Sequence, residues 1–150
     1  MYHADEDIRV NNKQARGFVI KGDKILLMYR EKEGHKYYVF PGGHMDKNEK
    51  PIETVEREIF EETTIKVKNV RKAFDIADYA KDKEIQYEYY FICDWKEGIP
   101  TLSNEEAVRC CKENFYKPMW VDLKDLSNLK LYSLAAKEWV LIHILGDKWL

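Results

Sequence analysis

Three glutamates, Glu58, Glu61 and Glu62, lie three and four residues apart, so on a helix their carboxylates would project from one side. Like charges at this spacing repel each other, and a purely structural helix would gain more from a lysine at one of these positions. Carboxylate oxygens suit a hard divalent cation such as Mg²⁺ or Mn²⁺, which leaves further positions for water and phosphate oxygens. The pattern therefore predicts metal-assisted chemistry at a phosphate group.

The residues before these glutamates predict the elements that position them. Tyr37 to Phe40 has the composition of a strand, and Pro41-Gly42-Gly43 then forms a turn in which the backbone can approach a ligand closely. Pro51 suits the first position of a helix. The apolar residues that follow recur with helical spacing and form one face: Ile52, Val55 and Ile59. A Glu-rich helix alone is usually only a solvated face, but the preceding strand and glycine turn favour a site.

The stretch from Gly43 to Ile65 resembles the Nudix box, which follows a fixed pattern of glycine, glutamate, arginine and aliphatic residues. The matching residues are Gly43, Glu49, Arg57, Glu58, Ile59, Glu61, Glu62 and Ile65. Thr64 departs from the pattern, because the family has glycine at this position. The resemblance extends over nearly all of the chain from about Gln14 onward.

The resemblance implies a role for each matching polar residue. The implied metal ligands are the backbone carbonyl of Gly42 and the carboxylates of Glu58, Glu61 and Glu62. Glu49 and Arg57 match a charged pair that braces the loop against the helix, a task that suits a bidentate guanidinium. These two residues and the three glutamates form the predicted catalytic set.

The implied reaction is attack of water on phosphorus in a diphosphate linkage, with Mg²⁺ or Mn²⁺ as the cofactor. One glutamate must accept the proton of the attacking water, and Glu58 is the nearest candidate within the motif. Glu105 and Glu106 from a later loop are the alternative. Ser103 and Glu106 also satisfy a helix capping box, which is a structural explanation for the same residues.

Two residues of the box region have backbone consequences. Asn48 stands at a turn position where relatives commonly carry glycine, and asparagine tolerates positive φ well. Thr64 is β-branched and resists positive φ at a helix C-terminus, so we expect the helix exit to differ locally.

The substrate is a small nucleotide by resemblance, and three residues are candidates to bind it. Arg16 and Arg30 lie on neighbouring predicted strands and could contact phosphate, and Tyr38 could stack on a base. Ordinary surface arginines and a core aromatic residue are the structural alternatives. Nucleoside triphosphates, nucleotide sugars and dinucleoside polyphosphates all remain open as substrate classes.

The composition suits one small domain spanning residues 1–150. The chain has 150 residues, 45% of them hydrophobic, and a net charge of −2, which indicates a proper core and no general attraction to nucleic acid. We expect no membrane contact and a cytoplasmic location, because the sequence lacks a long apolar run and an apolar segment near its start. The three cysteines are interpreted as buried or incidental thiols, and the four scattered histidines do not indicate a metal site.

The order of elements predicts an α+β fold. A hairpin turns at Lys21-Gly22-Asp23, a second one joins Lys66–Ala77 to Ile85–Trp95, and a further strand spans Pro118–Leu123. Ser133 is expected to cap a C-terminal helix that runs to about Leu145. This order resembles the Nudix α/β/α sandwich, in which a mixed β-sheet lies between helices. The many apolar residues of the last helix leave a homodimer open, although burial against one sheet face is the preferred explanation.

Two other functions share the fold. A nucleotide-sensing binding module would favour a degenerate box, whereas the carboxylates here are complete. An isoprenoid diphosphate isomerase would need a catalytic cysteine and a histidine-rich metal site, and the scattered histidines argue against it.

Overall fold

The computed structural model describes residues 12–79, 85–102, 111 and 114–146. Its elements are the strands β1 (Asn12–Lys21), β2 (Lys24–Lys32), β3 (His35–Val39), β4 (Gly42–His44), β5 (Lys66–Tyr79), β6 (Ile85–Glu97), β7 (Asn114–Asp122) and β8 (Leu131–Tyr132), and the helices α1 (Pro51–Thr63) and α2 (Leu134–Val140). A 3-10 helix (Leu123–Asn128) precedes β8, and a π-helical turn (Leu141–Leu145) continues α2.

The strands form one mixed sheet in the described part of the chain, with β5, β6, β1, β2, β3 and β8 in that order. The predicted hairpins are confirmed, because β1 pairs antiparallel with β2, and β5 pairs antiparallel with β6. The β1–β2 ladder is limited to Ile20↔Ile25 and Lys21↔Lys24, after which the two strands diverge. β4 then pairs with β1, while β3 pairs with β2. A cleft therefore opens between β1 and β2.

Helices cover both faces of this sheet. Val55 and Ile59 of α1 are fully buried against one face, where they pack with Val19 and Leu26. On the opposite face, Phe18 and Tyr90 share a second core cluster with Ala136 and Val140 of α2 and with the buried leucines of the 3-10 helix. The predicted α+β sandwich is confirmed. No helix in residues 12–146, as far as they are described, is long and apolar enough to cross a membrane.

Helix α1 begins and ends at identifiable backbone features. The amide of Lys50 donates to Glu53 Oε1 (2.9 Å), and Pro51 occupies the first turn, so the start needs few other partners. Thr64 adopts φ = 61°, the left-handed conformation that glycine would take, and its amide donates to the carbonyl of Phe60 (2.8 Å). The prediction that Thr64 alters the backbone at the end of the helix is therefore wrong. The Thr64 hydroxyl donates to the carbonyl of Ile99 (3.0 Å) and offsets part of the backbone strain.

The C-terminal helix departs from a regular α-helix. Ser133 caps it as predicted, because its Oγ accepts from the amide of Ala136 (3.2 Å), but the segment Leu141–Leu145 widens into a π-helical turn. Ala136 and Val140 are buried, whereas Ile142 is 57% exposed, so one side of this helix faces away from the core. The homodimer, the single domain over residues 1–150 and the cytoplasmic location stay predictions from the sequence.

Candidate active site

The glycine turn after β3 lies directly against β1. The amide of Gly17 donates to the carbonyl of Pro41 (2.9 Å), and β4 pairs with β1 through Arg16↔Gly42. A side chain at Gly42 would collide with the carbonyl oxygen of Ala15 and lie 2.6 Å from Arg16 Cα, and the φ of 152° disfavours other residues as well. The turn is thus fixed in a conformation that only glycine accommodates.

Two carboxylates of α1 reach this turn. The backbone amide of Gly42 donates to Glu62 Oε1 (2.8 Å). Glu58 approaches Gly43 so closely that a Cβ at position 43 would lie 2.5 Å from Glu58 Oε2. Glycine at both positions therefore allows the helix carboxylates and the turn backbone to share one small space.

Arg57 holds the loop to the helix through two parallel bonds to one carboxylate. Its Nε donates to Glu49 Oε2 (2.7 Å) and its Nη2 donates to Glu49 Oε1 (2.9 Å). Glu49 also accepts from the hydroxyl of Thr54 (2.6 Å) and from the amide of Asp46 (2.9 Å). The hydrogen bonds from Arg57, followed by those from Asp46 and Thr54, outweigh partial burial and lower the pKa of Glu49 to about 2. Glu49 is therefore ionised throughout the neutral range.

The same arginine also bridges the acidic row of the helix. Arg57 Nη1 donates to Glu58 Oε1 (2.9 Å) and to Glu61 Oε2 (3.0 Å), while Nη2 reaches the carbonyl of His44 (3.0 Å). Its hydrogen bonds, led by those to Glu49, raise the pKa of Arg57 above its ordinary value. Burial raises the pKa of Glu58, and the bond from Arg57 opposes this effect in part. The repulsion expected among the glutamates is thus reduced by a side chain of the motif itself.

A cavity of about 360 Å³ begins at Gly42 and Glu62 and extends across the cleft between β1 and β2. Its other lining residues come from β1, β2, β3 and β7: Arg16, Met28, Arg30, Tyr37, Val39, Asn114 and Tyr116. Arg30 Nη2 donates to Asn114 Oδ1 (3.2 Å), and its guanidinium lies 5.4 Å from the ring centre of Tyr116. Arg30 Nε is buried and has no hydrogen-bond partner in the described residues. One N–H of a guanidinium in the cavity wall is therefore unpaired among the described residues.

A family model described as NUDIX domain matches residues 11–141 of the sequence. The chain belongs to the Nudix family. The 8-oxo-dGTP diphosphatase of Proteus vulgaris is 27% identical over 81 residues, which make up 53% of this chain and 72% of that protein. Together with the structural relatives below, these matches identify a MutT-like Nudix hydrolase, an enzyme that hydrolyses a diphosphate linkage in a nucleotide.

Solved structures of other Nudix and MutT proteins have a similar fold. The MutT protein of Bacillus halodurans superposes with a TM-score of 0.67 at 26% identity, covering 89% of this chain and 81% of that chain. The E. coli ORF135 protein superposes with a TM-score of 0.71 at 15% identity, covering 91% of this chain and 92% of that chain. The superpositions cover about nine tenths of this chain, so the α+β fold of this Nudix hydrolase agrees with that of its relatives.

The donor set of this Nudix site fits a hard divalent cation in its chemistry. Glu58 and Glu62 present carboxylate oxygens at the turn, Glu61 lies on the same flank of α1, and the backbone carbonyl of Gly42 could supply a further oxygen. Within the described ranges, no group of three or more His, Cys, Asp or Glu side chains already converges as a metal site. Glu58 and Glu61 are instead turned toward Arg57. Each of these two carboxylates bonds to Arg57 through one oxygen, so its second oxygen could bind a metal ion while Arg57 holds the first.

The three predicted substrate residues of this hydrolase occupy different surroundings. Arg30 lines the cavity, and so does Arg16, whose guanidinium is already bonded to Glu88, Gln14 and the carbonyl of Phe40. The structure places Tyr38 away from the cavity, because its side chain packs on the ring of Tyr29 (5.2 Å between ring centres) beside the core. Side chains alternate between the two faces of β3, so Tyr37, the neighbour of Tyr38, lines the cavity instead.

Sequence reasoning missed five residues of the cavity: the apolar Met28 and Val39, and the polar or aromatic Tyr37, Asn114 and Tyr116. Tyr37 and Tyr116 both lie opposite Arg30, on the two strands that flank β2. Strand alternation could have separated Tyr37 from Tyr38, but β7 contributes to the cavity only through a pairing with β2 that local sequence does not indicate. Glu105 and Glu106, the alternative proton acceptors, lie outside the described residues.

Proposed function

We propose that this Nudix hydrolase cleaves a diphosphate linkage of a nucleoside triphosphate with the assistance of Mg²⁺ or Mn²⁺. The proposal rests on one observation: Gly42 and Glu62 belong both to the acidic turn and to the wall of the cavity. A diphosphate at the turn would thus have the rest of the nucleotide in the cavity. The diphosphatase from Proteus vulgaris acts on a nucleoside triphosphate, which supports this substrate class.

Each side chain has a defined task in the proposed reaction. When bound, the metal ion would polarise the diphosphate and neutralise charge on the leaving phosphate. Glu58, Glu61, Glu62 and the carbonyl of Gly42 would hold that ion. Arg57 orients Glu58 and Glu61 through Nη1 and keeps the loop in place through Glu49. We assign Glu58, whose Oε2 faces Gly43, as the acceptor of the proton from the attacking water.

The cavity supplies the remaining contacts in this proposal. Arg30 brings a guanidinium to the cavity wall that could donate to a phosphate or base oxygen, and Asn114 offers an amide beside it. Tyr37 and Tyr116 provide rings against which a base or ribose can pack. The combination of a guanidinium, an amide and two aromatic rings suits a nucleoside better than a wholly apolar or wholly anionic group.

The test compares carboxylate variants on one helix. Glu62→Gln and Glu61→Gln should each reduce Mg²⁺-dependent turnover of a nucleoside triphosphate by about 100-fold or more, because a neutral amide binds a hard cation poorly. Glu56→Gln is the matched control, since Glu56 is exposed on another side of the same helix and undergoes the same change of charge. Circular dichroism would verify that all three variants remain folded.

The substrate screen should include nucleoside triphosphates, nucleotide sugars, ADP-ribose and dinucleoside polyphosphates, with products identified by mass. Release of a nucleoside monophosphate and pyrophosphate from a triphosphate is the expected result. Equal turnover in Glu62→Gln and the wild type would refute the assigned site. Tight nucleotide binding without hydrolysis in the whole panel would instead favour a nucleotide-sensing module.

A further inference from the structure

Arg16 lines the cavity but directs its guanidinium toward the protein. Its Nε donates to Glu88 Oε2 (2.9 Å), its Nη1 donates to the carbonyl of Phe40 (2.8 Å), and its Nη2 donates to Gln14 Oε1 (2.6 Å). The side chains of Arg16 and Glu88 are only 23% and 21% exposed, so water screens this ion pair less than a surface pair. The arginine is thus oriented by neighbours on β1 and β6 toward a backbone carbonyl of the active-site turn.

The carbonyl that accepts from Arg16 immediately precedes the turn. Phe40 is fully buried and is followed by Pro41 and then by Gly42, whose amide binds Glu62. The body of the Arg16 side chain also limits the turn, because its Cγ lies 2.8 Å from where a Cβ on Gly42 would stand. Arg16 therefore contacts the turn both by a charge-assisted hydrogen bond and by packing.

Glu88 is anchored on its other side by the protein core. Its Oε1 accepts a long hydrogen bond from the hydroxyl of Tyr90 (3.4 Å), and Tyr90 is fully buried between Phe18 and Phe74. Parallel pairing sets Arg16 opposite Tyr90 and Gln14 opposite Glu88, so Glu88, two residues before Tyr90, lies on the same face of the sheet. Glu88 thereby links a rigid core residue to the arginine.

We propose that Glu88 is a positioning residue, which acts through Arg16 to hold the Phe40–Gly42 turn where Gly42 meets Glu62. The inference rests on the proposed function for its catalytic consequence, but its structural part can be measured without metal or nucleotide. Glu88 itself would contact neither the diphosphate nor the metal ion. Its loss should loosen the turn and leave the carboxylates of α1 in place.

The structural test is hydrogen exchange of backbone amides by NMR on the metal-free protein. In Glu88→Ala, the Gly42 amide should exchange about tenfold faster than in the wild type, because local opening of the turn becomes easier. The amide of Leu26, in the core of the sheet, should keep its rate. Arg16→Lys is the second variant, since it retains the charge but cannot reach three acceptors.

The kinetic test separates positioning from chemistry. Glu88→Ala should lower kcat on the order of 10-fold to 100-fold and raise the Mg²⁺ concentration needed for half-maximal activity, since the turn carries a proposed ligand. Glu88→Gln keeps an acceptor for Arg16 Nε and should stay within about threefold of the wild type. In an Arg16→Ala background, replacement of Glu88 should have little further effect, because the two residues act as a unit.

The control is Glu97→Ala, since Glu97 lies on the same strand but is 59% exposed in a surface pair with Lys66. It should resemble the wild type in both tests. Unchanged Gly42 exchange in both Glu88→Ala and Arg16→Lys would overturn the inference, as would a Glu88→Gln variant as inactive as Glu88→Ala. If the wild type hydrolyses no nucleotide, but Glu88→Ala still speeds exchange of the Gly42 amide, the proposed function is refuted and the positioning role is supported.

Discussion

The two ends of the active-site cleft differ in how their polar groups are satisfied. At the box end, formed by the Gly42–His44 strand and α1, Arg57 and Glu49 bind each other and the surrounding backbone. At the cavity end, formed by Arg30, Asn114 and Tyr116, the buried Nε of Arg30 has no partner in the described residues. Arg57 and Glu49 at the box end thus bond to each other and to the backbone, whereas the cavity end contains a buried donor that the described residues leave unpaired.

This difference implies that residues at the two ends contribute differently to folding and to binding. A satisfied network stabilises the folded chain whether or not substrate is present. An unsatisfied buried donor costs folding free energy until a ligand supplies an acceptor. Variants at the box end should therefore change stability and turnover together, and variants at the cavity end should change substrate binding alone.

The largest effect is expected for Arg57→Lys. An ammonium cannot make the paired bonds to Glu49 and also bridge Glu58 and Glu61, so the free energy of unfolding should fall by about 2 to 3 kcal/mol. Turnover should fall about 100-fold, since the carboxylates lose their orientation. Urea unfolding and steady-state kinetics would measure both quantities. Arg71→Lys, at a half-exposed arginine paired with Asp94, is the matched control and should be nearly neutral.

Acid should weaken the box end selectively. The pKa of Glu49 is about 2 in the folded protein against 4.5 ordinarily, so the folded state favours the ionised form and gains stability above pH 4.5. This gain disappears as the pH falls from about 4.5 towards 2, and it corresponds to at most about 3 kcal/mol. Glu49→Gln should flatten the pH dependence of unfolding in this window. An identical pH profile in the variant would contradict the assignment of the lowered pKa to Glu49.

Arg30→Met tests the cavity end. The change removes a buried donor that has no partner among the described residues, so stability in the absence of nucleotide should stay equal or rise slightly. KM for the nucleotide should increase about tenfold while kcat changes little, because the lost contact serves binding more than chemistry. Thermal unfolding and initial rates would be compared with Lys117→Met on β7, an exposed position of the same region. A loss of stability like that of Arg57→Lys would abolish the distinction between the two ends.

Glycine at the two left-handed positions of the box region, Thr64→Gly and Asn48→Gly, should give the smallest effects, and in the opposite direction. Thr64 holds φ = 61° at the end of α1, where glycine has no steric penalty. The variant should gain about 0.5 to 1 kcal/mol of stability, reduced by loss of the hydroxyl bond to Ile99. Asn48→Gly, at φ = 67°, should gain less, because asparagine already tolerates this conformation. Chemical unfolding of the two variants side by side would show the order.

Local sequence predicted the box end well because its residues are close together in the chain. The helix start at Pro51 and the positive φ at Asn48 follow from short-range rules, and both are present. Helical spacing also places the three glutamates on one flank. The role of Arg57 as a bridge between Glu58 and Glu61 was not predicted, since it depends on a rotamer that spacing alone does not define.

The cavity end could not be assembled from sequence in the same way. Asn114 meets Arg30 across a pairing of β2 with β7, two strands separated by most of the chain. Composition does not indicate which side of a strand faces a cleft, so it cannot tell that Tyr37 rather than Tyr38 lines the cavity. Arg16 was expected at the substrate, but its partner Glu88 becomes its neighbour only through the parallel β1–β6 pairing.

The bridge made by Arg57 also has a practical consequence. Since a guanidinium of the protein already balances Glu58 and Glu61, the chain carries its own counter-ion and should fold without any metal in solution. Purification through EDTA should therefore yield intact protein with an unchanged melting temperature. Such a preparation can then be loaded with one chosen metal at a time, which makes the metal preference directly measurable.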